Sequence, residues 1–561
     1  MLQSIMFSSS KKTALICILG LIIFAGLFLG PRILHASIPA TNSEVREAYT
    51  TYSIIKTGRD TNGTFLPILF RADNNYLSTL GVYLKIPGIL IFGPNLIGIR
   101  FLGIIIGVIS LFAFYLFSLS IFKKKQLALM LTVIFALSPI LLQTNVLSLG
   151  ISLALMFSLY AIYFLFTKRF KLFWLFFLLS ALSNFASIPF LLVFYISRLG
   201  AKERKKGMII ISTCLLVFVF LIFKFDKSLF GYLKTNTVIA DWLPQSYTYQ
   251  IDKRISFEEI YGSVLLTPKL NFNRIAFNKI FFGINSIFTS FIIPFNFEKI
   301  IAPFQAQTVL ASDGGNLRFF PQFYFWELPL VFAGIILVLR KHKDITWLFV
   351  GAVTSSIIFS NGFIFFLPIC AIAEGYLIYF LISKFKHINK LFVITILSLF
   401  WMVSYLTVVD IFLNSSNLWM TENDIRQNEI WNFVRSTNKN WPYIQITDRL
   451  GEPLFYYLYY MHVDPSYYLQ NKVNGPLLNN QTQRIDSVGS VVFGSFDYQK
   501  INHVPRSLWI GLAGEFVGQN ANPTTLLSVD NGNILNRIKG VDTPDKKTFS
   551  EELWFVKSNL K

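Results

Sequence analysis

Ten long apolar runs, punctuated by short basic clusters, constrain this chain more than any other feature. The runs are Thr13–Gly30, Leu96–Phe122, Leu127–Leu142, Leu147–Phe166, Leu172–Ile196, Met208–Phe223, Tyr324–Leu339, Ile345–Phe359, Phe363–Ser383 and Leu391–Phe412. A helix needs about 20 apolar residues to cross a bilayer, and several of these runs sit at or just under the lower limit. Nineteen lysines and arginines fall in six clusters beside them: Lys11-Lys12, Lys123–Lys125, Lys168–Lys171, Arg198–Lys206, Arg340–Lys343 and Lys384–Lys390. Basic residues in short loops mark the cytoplasmic side of a membrane protein. The pattern predicts a polytopic membrane protein.

Composition bears on the rivals. Charged residues make up 14% of the chain, against about 25% in soluble domains. The net charge of +20 raises nucleic acid as a partner, but Leu413–Lys561 holds 14 basic and 14 acidic residues. The excess therefore lies wholly in the membrane part, and no basic stripe with interleaved aromatics occurs in a soluble segment. Nucleic-acid binding is not expected. Cys17, Cys214 and Cys370 lie inside apolar runs and the five histidines are scattered. Neither a disulfide framework nor zinc spacing is legible, and no cofactor or divalent metal is expected.

Leu172–Ile196 contains the polar break Ser180-Ala-Leu-Ser-Asn184 and has basic clusters on both sides. It is read as two short helices meeting near Asn184, which leave and re-enter the cytoplasm. That gives 11 spans, with the N-terminus and every basic cluster inside. Leu34-His-Ala-Ser resembles a signal cleavage site, but the apolar core before it is longer than the roughly 7–15 residues of a signal peptide. A retained anchor is favoured.

The membrane domain is expected over 1–412, with outer regions at 31–95 and 224–323. Within the latter, Phe272–Phe297 reads as an interfacial amphipathic segment rather than a further span. Residues 413–561 predict an extracytoplasmic α/β domain. It opens with a helix near Glu422–Thr437, followed by strand-like runs at Tyr443–Thr447, Ser490–Phe493 and Leu553–Lys557.

Polar residues gather in the first outer region rather than inside the spans, where charges are few (chiefly Arg100, Glu327, Glu374 and Asp410). The order there is Ser43-Glu44, Tyr52 to Thr57-Gly-Arg-Asp60, Tyr83-Leu-Lys-Ile-Pro87, Phe92-Gly-Pro-Asn95, then Arg100. This order resembles the integral-membrane GT-C glycosyltransferases, in the branch of protein O-mannosyltransferases and aminoarabinose transferases. Ser312–Arg318 followed by Trp326–Gly334 resembles that family's late outer loop. Leu454–Tyr460 followed by Asp464-Pro465 resembles the start of its C-terminal domain.

The resemblance implies a GT-C-like fold and transfer of a sugar, with inversion, from a polyprenyl-phosphate carrier to an acceptor hydroxyl on the outer face of a plasma membrane. It implies a carboxylate of the first outer loop as general base, and basic side chains on the carrier phosphate. The carry-over is incomplete. Where the family has an acidic pair, this chain has Ser43-Glu44. Gln143–Gly150 carries no charge, and Asn361–Pro368 lacks an expected His-Arg pair. The base then falls to Glu44 or Glu47, with Lys85, Arg100, Arg318, Asp60 and Asp73 as candidate substrate-binding residues. A degenerate relative that binds the lipid carrier without transfer, or a lipid or sugar transporter, remains as the alternative.

Each residue also has a plainer reading. Glu44 completes a capping box with Thr41 at the head of a Val45–Ile55 helix. Glu47 fits a solvated face. Lys85 could snorkel, Arg100 could pair with the loop, and Asp60 could close an Asx turn. Glu374 has no legible basic partner. The tyrosines from Tyr456 to Tyr460 suit domain packing as well as sugar stacking.

Overall fold

The computed structural model describes residues 40–72, 75–138, 141, 144, 149–198, 327–358, 364–384, 397, 399–406, 422–436, 441–448, 453–478, 482–494, 506–512, 532–538 and 553–558. The expected spans Thr13–Gly30 and Met208–Phe223, the segment Phe272–Phe297, and the candidates Asp73 and Arg318 lie outside these residues.

The chain enters the described region through α1 (Asn42–Thr57), the hairpin β1 (Phe70–Ala72) and β2 (Asn75–Leu77), and two short helices, α2 (Thr79–Leu84) and α3 (Ile86–Phe92). An apolar bundle follows: α4 (Leu96–Phe122), α5 (Lys125–Ala136), α6 (Leu149–Phe166), α7 (Phe170–Ser183), α8 (Ser187–Arg198), α9 (Leu328–Lys341), α10 (Lys343–Ile358) and α11 (Leu367–Lys384). Among the described residues, two helices, Leu96–Phe122 and Ile364–Lys384, are long and apolar enough to cross a membrane by length and composition, and five other apolar helices are shorter.

Aromatic pairs lock the bundle. Phe114 of α4 stacks on Phe135 of α5 at 4.2 Å, and Phe190 of α8 on Phe365 at 4.5 Å. Such offset pairs add about 0.5–1.5 kcal/mol beyond the area they bury. Helices α9 and α11 approach more closely. A Cβ on Gly334 would lie 2.1 Å from the Ala373 carbonyl, so the backbones touch where only a hydrogen fits.

The break at Asn184 falls where the sequence predicts it. Asn184 is extended (φ −159°, ψ 127°), and its N–H closes α7 onto the Ser180 carbonyl. Its Oδ1 accepts the Ala186 N–H at 2.9 Å, opening the turn into α8. Phe173 near the start of α7 stacks on Tyr195 near the end of α8, 5.2 Å apart. The two helices therefore form a hairpin whose ends share a side.

Described residues of four basic clusters gather on that side. The Arg198 guanidinium lies 4.1 Å from the Phe166 ring and pairs with Asp344 at 2.9 Å. His342 meets Phe122 and Tyr376 edge-on, and Lys341 and Lys384 both lie against Phe380. Lys124 reaches the Tyr379 ring. The ends of α4, α6, α8, α9 and α11 thus share one rim that carries these basic side chains.

After the bundle come α12 (Glu422–Ser436), β3 (Tyr443–Ile446), α13 (Pro453–Tyr460), α14 (Pro465–Asn471), β4 (Lys472–Leu478), β5 (Thr482–Val488), β6 (Val491–Phe493), β7 (Ser507–Leu512), β8 (Gly532–Ile538) and β9 (Leu553–Ser558). The seven strands form one mixed sheet in the order β4-β5-β6-β3-β7-β9-β8. Its centre is parallel, β3 pairing with β6 and β7, and its flanks are antiparallel. The predicted helix and three strand runs are all present. Ile444, Ile446, Leu508 and Ile510 pack with Ile430 and Trp431 of α12 and with Phe455 and Leu458 of α13. Val45, Ala48 and Tyr49 of α1 belong to the same core. Each fully buried large apolar side chain contributes about 1.5–3 kcal/mol, so Val45 and Tyr49 hold α1 against the sheet domain.

Candidate active site

Helix α1 begins where the sequence has Thr41-Asn-Ser-Glu44. Thr41 is extended (φ −81°, ψ 159°), and both bonds of the capping box are made. It ends at Gly58, in the left-handed region at φ 67°, whose N–H returns to the Ile54 carbonyl. Helix propensity and the two caps therefore set the length of α1, and hence the heights of Glu44 and Glu47 along it.

Glu44 is enclosed. Its Oε2 accepts the Thr41 N–H at 3.0 Å and lies 3.1 Å from the Thr41 hydroxyl. Arg100, four residues into α4, forks onto it: Nε to Oε1 at 2.7 Å and a terminal nitrogen to Oε2 at 3.0 Å. Both residues are buried, Glu44 to 2% exposure and Arg100 to 1%. A carboxylate whose lone pairs are committed to four donors has little room left to accept a hydrogen bond from a substrate hydroxyl. Tyr459 of α13 lies within electrostatic reach of this pair, and burial first, then Tyr460 and Glu44, push its hydroxyl well above the usual tyrosine range.

Glu47, one turn along, is differently placed. Its side chain is 13% exposed, and Oε2 pairs with the Lys85 ammonium. Lys85 sits at the junction of α2 and α3, with its N–H in contact with the carbonyls of Gly81 and Val82. It is buried rather than snorkelling. An ammonium carries three donors, so an anion reaching Lys85 could share it with Glu47 or displace the carboxylate. A Cβ added at Gly81 would lie 3.8 Å from Glu47 Oε2, and one at Gly150 of the bundle 2.7 Å from Ser78 Cβ. Glu47 thus stands at the seam between α1 and α2, and the head of α2 abuts the bundle.

Asp60 occupies a turn. Its Oδ1 accepts the N–H groups of Asn62 at 3.0 Å and Thr64 at 2.7 Å, the Asx geometry expected of it. Burial raises its carboxyl above the usual range, and those N–H bonds pull the other way. Lys472 of the sheet domain donates to the neighbouring Thr61 carbonyl at 3.0 Å. Its ammonium is lowered by burial and partly restored by Asp60.

The structure therefore brings Glu44, Glu47, Lys85 and Arg100 into two ion pairs based on α1, and leaves Asp60 in a turn beyond the helix C-terminus. Sequence reasoning did not tie Tyr459 and Tyr460 to Arg100, whose electrostatics they influence, since their signal was an aromatic run with no spacing to tie it to the loop. It also missed the setting of Glu327, whose Oε1 accepts the Trp401 indole N–H at 2.5 Å. Glu374 Oε1, buried in α11, has no hydrogen-bond partner among the described residues. No group of three or more His, Cys, Asp or Glu able to hold a metal occurs among the described residues.

No protein-family model and no curated protein sequence matches the chain. Among solved structures it is similar to the archaeal oligosaccharyltransferase AglB from Archaeoglobus fulgidus, solved in complex with an inhibitory peptide and a dolichol-phosphate. The TM-score there is 0.43 at 12% identity, over 79% of this chain. The chain spans 63% of that protein's length. It is also similar to ArnT from Cupriavidus metallidurans in the apo state, with a TM-score of 0.44 at 10% identity over 98% of both chains.

Proposed function

We propose that this protein is a membrane glycosyltransferase that takes a sugar from a polyprenyl-phosphate carrier and passes it, with inversion, to an acceptor hydroxyl. The observation that carries the reading is the Glu47–Lys85 pair, a partly exposed carboxylate against a buried ammonium. It lies in the loop whose sequence resembles the GT-C glycosyltransferases.

Lys85 receives the carrier phosphate, and its positive charge stabilises the negative charge that grows there as the glycosidic bond breaks. Glu47 accepts the proton of the acceptor hydroxyl as that oxygen attacks the sugar carbon. In the resting protein the ammonium neutralises the carboxylate. Arrival of a phosphate gives Lys85 a second anionic partner and loosens its hold on Glu47. Glu44, saturated by Arg100 and Thr41, positions the head of α1 and does not act as the base. Arg318 and Asp73 remain candidates for the donor, and Asp60 for the rim. No metal enters the reaction as proposed.

The test uses purified full-length protein, a panel of polyprenyl-phosphate sugars and release of free polyprenyl phosphate as the readout. Glu47→Gln should lower turnover by about 10²–10⁴-fold, the usual worth of a general base, while retaining the co-purifying carrier lipid. Lys85→Ala should lose the carrier lipid itself. Unchanged turnover in Glu47→Gln would remove Glu47 as base. Carrier lipid bound by a wild-type protein that releases none from any donor would favour the non-transferring, carrier-binding alternative.

A further inference from the structure

The loop ahead of Lys85 is built unlike a solvated loop. Phe65, Leu66 and Ile68 are 67%, 50% and 75% exposed. Leu66 adopts φ 40°, a conformation that costs a branched L-residue roughly 1–3 kcal/mol and persists only where its surroundings impose it. The surroundings are hydrogen bonds. Leu66 N–H donates to the Gly58 carbonyl at 3.0 Å, and Asp60 N–H to the Thr64 carbonyl at 3.0 Å. The Tyr83 hydroxyl donates to the Pro67 carbonyl at 2.9 Å, and the Thr79 hydroxyl to the Ile68 carbonyl at 2.7 Å. Three backbone groups of the exposed stretch, the Leu66 N–H and the Pro67 and Ile68 carbonyls, are thus satisfied within the protein while its apolar side chains are turned outward. That combination is what hydrocarbon requires and water does not.

The same face continues through α2 and α3. Leu84, Leu90 and Ile91 point outward, while Gly88 presses its backbone onto the Gly98 carbonyl of α4, where a Cβ would lie at 2.3 Å. Helix α3 therefore rests on the first turn of a helix able to cross a membrane. Farther along α4, Ile105 and Ile109 are also exposed, continuing the apolar surface. Among the described side chains between residues 61 and 95, no charged one is exposed, because Lys85 is buried.

We infer that the Phe65–Ile68 loop and the outward face of α3 insert together into the interfacial layer of the bilayer and hold the Glu47–Lys85 pair at the membrane surface. The occupant of this strip is lipid, because it is uncharged and continuous with the apolar flank of α4. The inference rests on the membrane reading of the bundle and is independent of sugar transfer.

The experiment places an environment-sensitive NBD probe at Ile68→Cys, Leu90→Cys and, as a control on the sheet domain, Ser466→Cys. Each is made in full-length protein whose Cys17, Cys214 and Cys370 are alanine. The proteins are reconstituted in phosphatidylcholine vesicles with and without lipid carrying a nitroxide near the headgroup. Ile68 and Leu90 should give blue-shifted emission quenched by the nitroxide lipid about twofold or more beyond Ser466, as expected for side chains about 5–10 Å into the interface. Quenching at either site no greater than at Ser466 overturns the inference. So does blue-shifted emission that the nitroxide lipid leaves unquenched, which would mean that protein covers the strip.

Discussion

Arg100 grips Glu44 through two guanidinium nitrogens, at 2.7 and 3.0 Å, in a site closed to solvent. The two residues are 56 positions apart. The fork joins the first turn of α1 to the first turn of α4, so whatever is built on α1 is referenced to the bundle.

Removing one partner of this pair should be worse than removing both. Arg100→Met leaves a buried carboxylate with only Thr41 as donor, and Glu44→Gln leaves a buried guanidinium without its counter-charge. Each should cost about 3–5 kcal/mol. The double variant Glu44→Gln/Arg100→Met should recover part of that loss. Thermal unfolding of the three purified variants in detergent checks the order. A double variant that falls by the sum of the singles would mean the two side chains act separately.

Some of this was readable from the sequence, and some could not be. Thr41 to Glu44 announces its capping box because a cap is local, and Asn184 announces its break because a polar residue interrupts an apolar run. The Glu44–Arg100 and Glu47–Lys85 pairs are not local, and no periodicity ties residues that meet only through the fold. In the sheet domain, β3, β6 and β9 are short β-rich runs and stand out. Strand β4 does not, because Gly475-Pro476 reads as a turn. The structure accommodates that dipeptide by making β4 an edge strand with a register shift between Asn474 and Leu477, where a missing N–H costs little. Strand β8, at the other edge, is similarly masked by polar residues.

Asp60 should leave a signature in the pH dependence of stability. Burial holds its carboxyl above the usual range, so the folded chain binds that proton more tightly than the unfolded one. Its stabilisation is full below the unfolded value of about 3.9 and is lost as pH rises through the raised folded value. Asp60→Asn keeps an acceptor for the Asn62 and Thr64 N–H groups and cannot ionise. Melting temperature against pH should therefore decline less in Asp60→Asn than in the wild type across that window. Superimposable curves would show that Asp60 titrates normally.

Gly334 tests the closest helix contact. A Cβ there would meet the Ala373 carbonyl at 2.1 Å, with the Glu374 backbone nitrogen at 3.1 Å. These are backbone atoms, which cannot swing aside as a side chain can. Gly334→Ala gains helix propensity, about 1 kcal/mol, but must push α9 and α11 apart. The expected net effect is destabilisation of about 1–3 kcal/mol, read as a lower melting temperature. A more stable Gly334→Ala would show that the crossing can open without loss.

Asn428 tests how the sheet domain holds the site. It reads the backbone of Ala40 in both directions, accepting its N–H at 3.3 Å and donating to its carbonyl at 3.0 Å. Tyr456 adds a bond to the same carbonyl at 3.4 Å, and the Tyr49 hydroxyl reaches back to the Val463 carbonyl at 3.2 Å. Ala40 immediately precedes the Thr41 cap, so this clamp fixes where α1 starts. Asn428→Ala strands a buried N–H and should cost about 1–3 kcal/mol. Asn428→Asp keeps an acceptor for that N–H but sets a carboxylate against the Ala40 carbonyl, and should cost no less. The local readout is hydrogen exchange of residues 40–57, which should speed up in both variants while the amides of α5 stay protected. Equal protection of α1 in wild type and variants would show that the Arg100–Glu44 fork and the apolar packing of Val45 and Ala48 suffice to hold α1 without the clamp.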